Sequence, residues 1–165
     1  MGSERKHGLP PIARKDARLL ILGSLPGDAS LRAERYYAHP QNQFWRLLGT
    51  VLDEELAGLG YERRLAVLQE RRVALWDVIG SALRRGSLDQ QMREVEARDL
   101  ESFVVTLPAL RGVAFNGASA ARLGRRVLQD SKLTLVDLPS SSPAYTLPFA
   151  AKAERWNALR PLLVD

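Results

Sequence analysis

The sequence predicts an α/β protein in which a short, mainly parallel four-stranded sheet carries helices on both of its faces. Short apolar runs typical of buried strands alternate along the chain with segments of helical periodicity, which is the pattern of a parallel sheet. The length of 165 residues suits one domain with a sizeable core. Hydrophobic residues make up 45% and charged residues 26% of the chain, the balance of an ordinary globular protein.

The first third of the chain is predicted to contain a strand, a long loop and a helix. Residues 1–17 form a polar lead-in that contains prolines, so the single domain is expected to span residues 18–165. The apolar run 18–23 predicts the first strand, and residues 28–41 predict a long loop with one helical turn. Asn42 is a favourable N-cap for the helix that follows. The apolar residues of that helix recur at helical spacing: Phe44, Leu47, Leu48, Val51 and Leu52.

The rest of the chain continues the alternation. Gly112 to Asn116 reads as the third strand, and Asn116-Gly117 lies where this strand meets a helix. Residues 80–96 are polar and predict an irregular segment. The remaining expected elements are a helix at 61–71, a strand at 73–79, a helix at 97–107, a helix at 117–128, a strand at 132–138 and a final helix at about 149–163.

Charge and composition limit the classes of function. The net charge is +5, and 20 of the 24 basic residues are arginine, which fits either a GC-rich genome or a polyanionic partner such as nucleic acid. The chain has no cysteine and two histidines, so neither a disulfide framework nor a metal site is expected. Neither a membrane-spanning run nor a signal peptide is predicted, and a cytoplasmic protein is expected.

Every chemically rich segment follows a predicted strand. These segments are 23–40, 77–89, 116–117 and 139–144. In a parallel sheet the carboxyl ends of the strands lie at one edge, where ligands bind. We therefore expect the four segments to converge on one rim and to form the binding site.

The segment GSLPG, which opens at Gly23, is either a simple strand-to-loop turn or a turn that lets a ligand approach the backbone closely. It matches neither a phosphate-binding loop nor a dinucleotide fingerprint. The following YYAHPQNQFW offers aromatic rings that could stack on a flat base and amides that could read its edge. Its aromatic residues are alternatively core residues, and His39 alternatively has a structural role.

The loop LPSSSPA places three hydroxyl groups between two prolines. It is either a stiff surface loop or a site where hydroxyls and backbone amides hold phosphate oxygens. Asn116-Gly117 is similarly either a turn or a place where a side-chain amide faces a bound base, at a helix start that favours an anion.

In this order, GSLPG, YYAHPQNQFW, LWDVIGSALRRGSLD, FNGASA and LPSSSPAY resemble the uracil-DNA glycosylase superfamily, and within it the hypoxanthine-DNA (deoxyinosine) glycosylase branch. The resemblance covers roughly residues 18–164. It implies a three-layer α/β/α sandwich and a monomeric, monofunctional DNA glycosylase without cofactor. Such an enzyme flips a deaminated base out of DNA and hydrolyses its N-glycosidic bond, which leaves an abasic site and an uncut strand.

The resemblance also implies roles for individual residues. Asn42 is the key catalytic amide, which orients the water or binds the base, and Ser24 is the second catalytic candidate. The residues implied to bind the base are Gly23, Leu25, Pro26, Gly27, Tyr37, His39, Phe44 and Asn116. Those implied to hold phosphates or to fill the gap left by the flipped nucleotide are Ser140, Ser141, Ser142, Pro143 and Ala144.

Two departures from the superfamily pattern bear on the substrate. Many members carry Asn, Asp or Glu shortly after the first glycine, where this chain has Ser24 and Leu25. Leu138 stands where classical uracil enzymes carry a histidine before Pro-Ser. Both departures speak against strong uracil excision and favour either a purine such as hypoxanthine or a slow, broad activity on deaminated bases that includes uracil or xanthine. The alternatives are a DNA-binding module that recognises lesions or mismatches without catalysis, which the missing amide or carboxylate suggests, and a hydrolase of free nucleosides.

Overall fold

The computed structural model describes residues 4–165, so residues 1–3 of the predicted lead-in lie outside the described part. The central sheet consists of four parallel strands, β2 (Leu19–Gly23), β3 (Val73–Asp77), β6 (Gly112–Asn116) and β7 (Thr134–Leu138). Their order in the sheet is β3-β2-β6-β7. This arrangement confirms the predicted parallel four-stranded sheet.

Helices cover both faces of this sheet, which confirms the three-layer sandwich. Side chains alternate between the two faces of a strand, and the alternation in β2 divides the core in two. Leu19 and Ile21 belong to one buried cluster, whereas Leu20 and Leu22 belong to the other. The helices are α1 (Asp28–Ala33), α2 (Phe44–Leu52), α3 (Tyr61–Glu70), α4 (Leu100–Val105), α5 (Ala118–Leu128), α6 (Phe149–Trp156) and α7 (Arg160–Leu163).

The two clusters draw on different helices. The first contains buried residues of α2 and α3 and Trp156 of α6. The second contains Leu100 of α4 with Ala120 and Leu128 of α5. The predicted final helix is helical over its expected range, but a 3₁₀ turn at Asn157–Leu159 divides it into α6 and α7. Among the described residues, no helix is long and apolar enough to cross a lipid bilayer.

A second sheet corrects the prediction for residues 73–96. The expected strand at 73–79 is two strands, because β3 ends at Asp77 and β4 (Ile79–Arg84) changes partners. β4 lies between β1 (Arg5–His7) and β5 (Met92–Ala97) in an antiparallel sheet of order β1-β4-β5. The expected irregular segment 80–96 is therefore mostly a hairpin. The charged, exposed β5 carries no apolar pattern from which a strand could be predicted.

The start of α2 also differs by one residue from the prediction. The N-cap is Gln43, not Asn42. The Asn42 side chain nevertheless satisfies a donor of this helix, since its Oδ1 accepts a hydrogen bond from the Phe44 amide at 3.0 Å. The physical role expected from an N-cap is thus performed from one position earlier.

Candidate active site

A cavity of about 480 Å³ lies at the carboxyl ends of the parallel strands. The four segments predicted to converge all contribute to its wall, which confirms that expectation. The residues that line it include Gly23 to Ser30, Tyr36, Tyr37, His39, Asn42, Asp77, Ser87 to Gln90, Asn116 and Ser140 to Tyr145.

Close contact between β2 and β3 explains the first glycine of the GSLPG turn. Gly23 and Asp77 are partners in the parallel register. A Cβ atom at Gly23 would lie 2.7 Å from Asp77 Oδ1 and 3.1 Å from the Tyr37 hydroxyl oxygen. Only glycine leaves room for both side chains, so this position lets a carboxyl and a phenol meet over the backbone.

Asp77 is one of the cavity residues that sequence reasoning did not select as a site residue. It is 3% exposed, and its Oδ2 atom has no hydrogen-bond partner among residues 4–165. Burial raises the pKa of Asp77 to about 7; Arg98 and Arg84 lower this pKa, and Asp89 raises it. The sequence signal that could have identified Asp77 is its position as the charged residue that ends an apolar strand.

The loop at residues 85–91, between β4 and β5, is fastened to the GSLPG turn. Arg84 is fully buried and donates hydrogen bonds to the carbonyl oxygens of Leu25 (3.3 Å), Pro26 (2.6 Å) and Gly86 (2.7 Å). Ser24 Oγ donates to Asp89 Oδ2 at 2.7 Å. Ser24 therefore lines the cavity with its hydroxyl proton already engaged.

Ser87 adds a further link across the cavity, because its Oγ accepts the Asp28 amide at 2.9 Å. Asp28 in turn pairs with the Lys6 ammonium at 2.6 Å. Lys6 belongs to β1, inside the predicted lead-in, so a strand from that segment supports the rim of the cavity.

Tyr37 and Phe44 form a stacked pair in which only Tyr37 lines the cavity. Their ring centroids are 3.8 Å apart and their planes differ by 9°. Phe44 is fully buried behind Tyr37 and lies in the core cluster. Tyr37 has a φ of 54°, which is unusual for a bulky residue. Such strain is often found at functional sites.

The Asn116 side chain is hydrogen-bonded to the loop at residues 138–144, here called the serine loop, rather than open to a ligand. Its Nδ2 donates to Ser141 Oγ at 2.9 Å, and its Oδ1 accepts the Ser141 amide at 2.9 Å. Gly117, with a φ of 104°, brings the start of α5 against Ser140. The loop is also held from below, since the buried Lys152 donates to the Ser142 carbonyl oxygen at 3.2 Å.

Asn42 and His39 lie on the loop that precedes α2. Asn42 lines the cavity, and its Oδ1 accepts a hydrogen bond from the backbone N–H of Phe44. This hydrogen bond fixes the orientation of the Asn42 side-chain amide. His39 is exposed at the cavity edge, and its Nδ1 accepts the Gln41 amide at 3.1 Å. Residue Gln43 links this loop to the serine loop through the Ser141 carbonyl oxygen.

The arrangement suits the binding of a flat, polar ring. The cavity wall combines the aromatic ring of Tyr37, the buried carboxyl of Asp77 and several side-chain hydroxyls. Across residues 4–165, His, Cys, Asp and Glu form no group of three or more that could hold a metal ion. The functional groups that line the cavity are amides, hydroxyls, carboxyls, phenols and the His39 imidazole.

Comparison with known proteins shows the family to which this chain belongs. A family model described as the uracil DNA glycosylase superfamily matches residues 10–160. The chain belongs to the uracil-DNA glycosylase superfamily. It thus has the fold of a DNA glycosylase of base excision repair, and DNA is its class of substrate.

Two relatives and one solved structure show how close the similarity is. The hypoxanthine DNA glycosylase of Methanosarcina acetivorans is 36% identical over 157 residues, which cover 93% of this chain and 97% of the relative. That of Methanosarcina barkeri is 41% identical over 113 residues, 68% of this chain and 72% of the relative. A solution NMR structure from Methanosarcina acetivorans, described as a candidate uracil DNA glycosylase, superposes with a TM-score of 0.87 at 36% identity, covering 96% of this chain and 99% of that one.

Proposed function

We propose that this superfamily member is a monofunctional glycosylase that excises hypoxanthine from DNA. The observation that carries the proposal is the cavity itself, in which the Tyr37 ring, the Asn42 amide and the buried Asp77 carboxyl line one space large enough for a purine. The names of the two Methanosarcina relatives support the choice of hypoxanthine. Ser24 in place of a carboxylate after the first glycine supports it further.

In the proposed reaction the nucleotide is extruded and its base stacks on Tyr37, which Phe44 supports from behind. The bond between C1′ and N9 breaks, and its electron pair leaves with the base. Water adds to the cationic sugar carbon and loses a proton to solvent, and the departing base anion takes up a proton from solvent. Asn42 orients this water or binds the departing base. No protein–DNA bond forms, so the product is an abasic site.

The rim of the cavity is proposed to hold the DNA backbone. Ser140 and Ser142 line the cavity and offer their hydroxyl protons, and Pro143 and Ala144 beside them are exposed. Ser141 is buried, and its bonds to Asn116 hold the loop in place. Phosphate oxygens accept hydrogen bonds from such groups, which fixes the register of the protein on the duplex without reading sequence. The net charge of +5 adds salt-dependent attraction to DNA.

A gel assay tests the proposal directly. Labelled duplexes that contain one hypoxanthine, uracil, xanthine or a G·T mismatch are incubated with the protein and then treated with alkali. We expect strand breakage at hypoxanthine after alkali and none before it, with slower or no breakage at the other sites. No abasic product on any duplex, together with measurable binding to the hypoxanthine duplex, would show a binding module instead. Release of hypoxanthine from free inosine but not from DNA would show a nucleoside hydrolase.

Leu88 is expected to act as a wedge that assists base extrusion from a duplex. It is 45% exposed and lines the cavity from the 85–91 loop. Tyr145, 48% exposed, lines the cavity from the chain segment that follows β7. Apolar side chains that enter a base step offset the loss of stacking. Leu88→Ala should therefore slow excision from duplex DNA about tenfold, the equivalent of roughly 1.4 kcal/mol, and leave excision from single strands within twofold.

Single-turnover rates on matched single-stranded and duplex substrates measure this difference. Val105→Ala serves as the control, because Val105 is 79% exposed on α4 and does not line the cavity. Equal losses on both substrates would instead assign Leu88 to the base-binding wall.

A further inference from the structure

Some polar groups of the cavity wall already have hydrogen-bond partners within the protein, whereas one does not. Ser24 Oγ is bound to Asp89, and both polar atoms of the Asn116 amide are bound to Ser141. Asn42 Oδ1 is bound to the Phe44 amide. By contrast, Asp77 Oδ2 is buried without a hydrogen-bond partner among the described residues. A buried polar atom in this condition requires an explanation, and a ligand in the adjoining cavity would provide one.

The position of Asp77 is tightly constrained. Its main chain is paired with Gly23 in the sheet, and its Oδ1 lies in the space that a Cβ at Gly23 would occupy. The Tyr37 hydroxyl borders the same space. The carboxyl therefore sits where the GSLPG turn, the aromatic wall and β3 meet, and a base stacked on Tyr37 would present an edge to it.

We propose that Asp77, as a neutral carboxyl, holds the lactam edge of the flipped base, donating its O–H to the exocyclic oxygen and accepting the ring N–H. This inference rests on the proposed function. A carboxyl group and a lactam each offer one donor and one acceptor side by side, so the two form a cyclic pair of hydrogen bonds. Hypoxanthine presents this edge as N1–H and O6.

The same neutral form suits the transition state. Negative charge builds on the base as the glycosidic bond breaks, and a fixed O–H donor at O6 stabilises that charge. An ionised Asp77 would have no donor and would place a second negative charge beside the leaving base. The proton stays on Asp77 throughout, so this step requires no further acid.

The surroundings of Asp77 keep a substantial fraction of it protonated near neutral pH. Burial raises its pKa to about 7. The titratable or charged groups that act on it or respond to it are Tyr36 and Tyr37 from the loop before α2, Arg84 at the end of β4, Asp89 in the 85–91 loop and Arg98 after β5. Arg98 and Arg84 favour ionisation, whereas Asp89 opposes it. Arg98 is itself held over the Trp76 ring and donates to the Leu9 carbonyl oxygen.

The decisive experiment is the pH profile of single-turnover excision for the wild type and for Asp77→Asn on one hypoxanthine duplex. The wild-type rate should fall about tenfold per pH unit above the pKa of Asp77, because one proton is lost. Asp77→Asn keeps one donor and one acceptor but does not titrate, so its profile should be flat from pH 6 to 9 and within tenfold of the wild-type acid plateau. Asp77→Leu should lose at least 100-fold at every pH.

Each contrary outcome has a distinct meaning. A wild-type rate that rises through pH 7, with an inactive Asp77→Asn, would make Asp77 a general base and overturn the proposal. Identical profiles for both proteins would also overturn it. No excision by the wild type at any pH would instead refute the proposed function. The matched variant Asp89→Asn removes the negative charge that opposes ionisation of Asp77. Its excision rate should therefore start to decrease at a lower pH than that of the wild type, but should still decrease.

A second readout does not depend on catalysis. A carboxyl whose pKa is raised in the folded state costs stability as pH rises from its unfolded pKa, near 3.9, through its folded pKa. The Tm of the wild type should therefore decrease relative to that of Asp77→Asn between pH 4 and 8, with the difference constant above about pH 8. A difference in Tm that does not change with pH would show that Asp77 is ionised in the folded protein throughout this range, contrary to the proposal.

Discussion

Replacing Asn42 with alanine is expected to slow excision of hypoxanthine by about 100- to 1,000-fold, the range typical for loss of one positioned group that acts on the transition state. Asn42 lines the cavity, and its side chain is oriented by the hydrogen bond from the Phe44 amide to Oδ1. Binding to the hypoxanthine duplex should change little, because the DNA backbone is held mainly by the rim. Single-turnover rates and equilibrium binding to the same duplex measure the two effects separately.

The capping contact of Asn42 requires its own control. Asn42→Asp keeps an oxygen acceptor for the Phe44 amide but loses the amide donor. If Asn42→Asp has the wild-type Tm but a low rate, the loss arises from the missing donor and not from an unfolded α2. Excision by Asn42→Ala within twofold of the wild type would remove Asn42 from the catalytic role.

Replacing Arg84 with methionine is expected to destabilise the protein by about 3 to 5 kcal/mol, as for other changes that break a buried charged network. The guanidinium is fully buried and donates hydrogen bonds to three carbonyl oxygens, those of Leu25 and Pro26 in the GSLPG turn and that of Gly86 in the 85–91 loop. Methionine roughly preserves the volume but leaves those carbonyl oxygens unpaired. For a chain of this size the corresponding decrease in Tm is about 10 °C.

The neighbouring Arg85 provides the matched control, since it is exposed and carries the same charge. Arg85→Met should change the free energy of unfolding by no more than about 0.5 kcal/mol. Denaturant unfolding of both variants measures the difference. Equal and small effects would mean that the 85–91 loop is not held by Arg84. If Arg84→Met does fold, its excision rate should also be reduced, because the turn that carries Gly23 and Ser24 loses its support.

Asp77, next to the turn that Arg84 holds, suggests how the chain makes up for the amide or carboxylate that is missing after its first glycine. Ser24 carries neither an amide nor a carboxylate, and its hydroxyl is bound to Asp89. The buried carboxyl comes instead from the neighbouring strand, opposite Gly23 in the register. A polar group at this end of the sheet can thus be supplied by an adjacent strand, provided that glycine leaves space for it.

The sequence by itself determined the elements whose patterns are local. β2 and β6 are apolar and buried, and α2 has a clear apolar face, so all three could be predicted from periodicity. The order of motifs identified the superfamily, because the glycine-proline turn GSLPG and the aromatic and amide residues of YYAHPQNQFW are local sequence patterns. Convergence of the loops on one rim followed from the direction of parallel strands.

The tertiary structure decided what depends on partners distant in the chain. The change from β3 to β4 at Val78 could not be predicted, because the largely apolar segment 73–79 does not show that its two parts pair with different sheets. Likewise, Phe44 and Tyr37 are equally aromatic in sequence, yet one is buried in the core and the other lines the cavity. The state of Asp77 depends on burial and on charges contributed by residues up to 21 positions away along the chain, such as Arg98. Solvation and Coulomb interactions act through space, so only the folded chain determines which carboxyl faces the base.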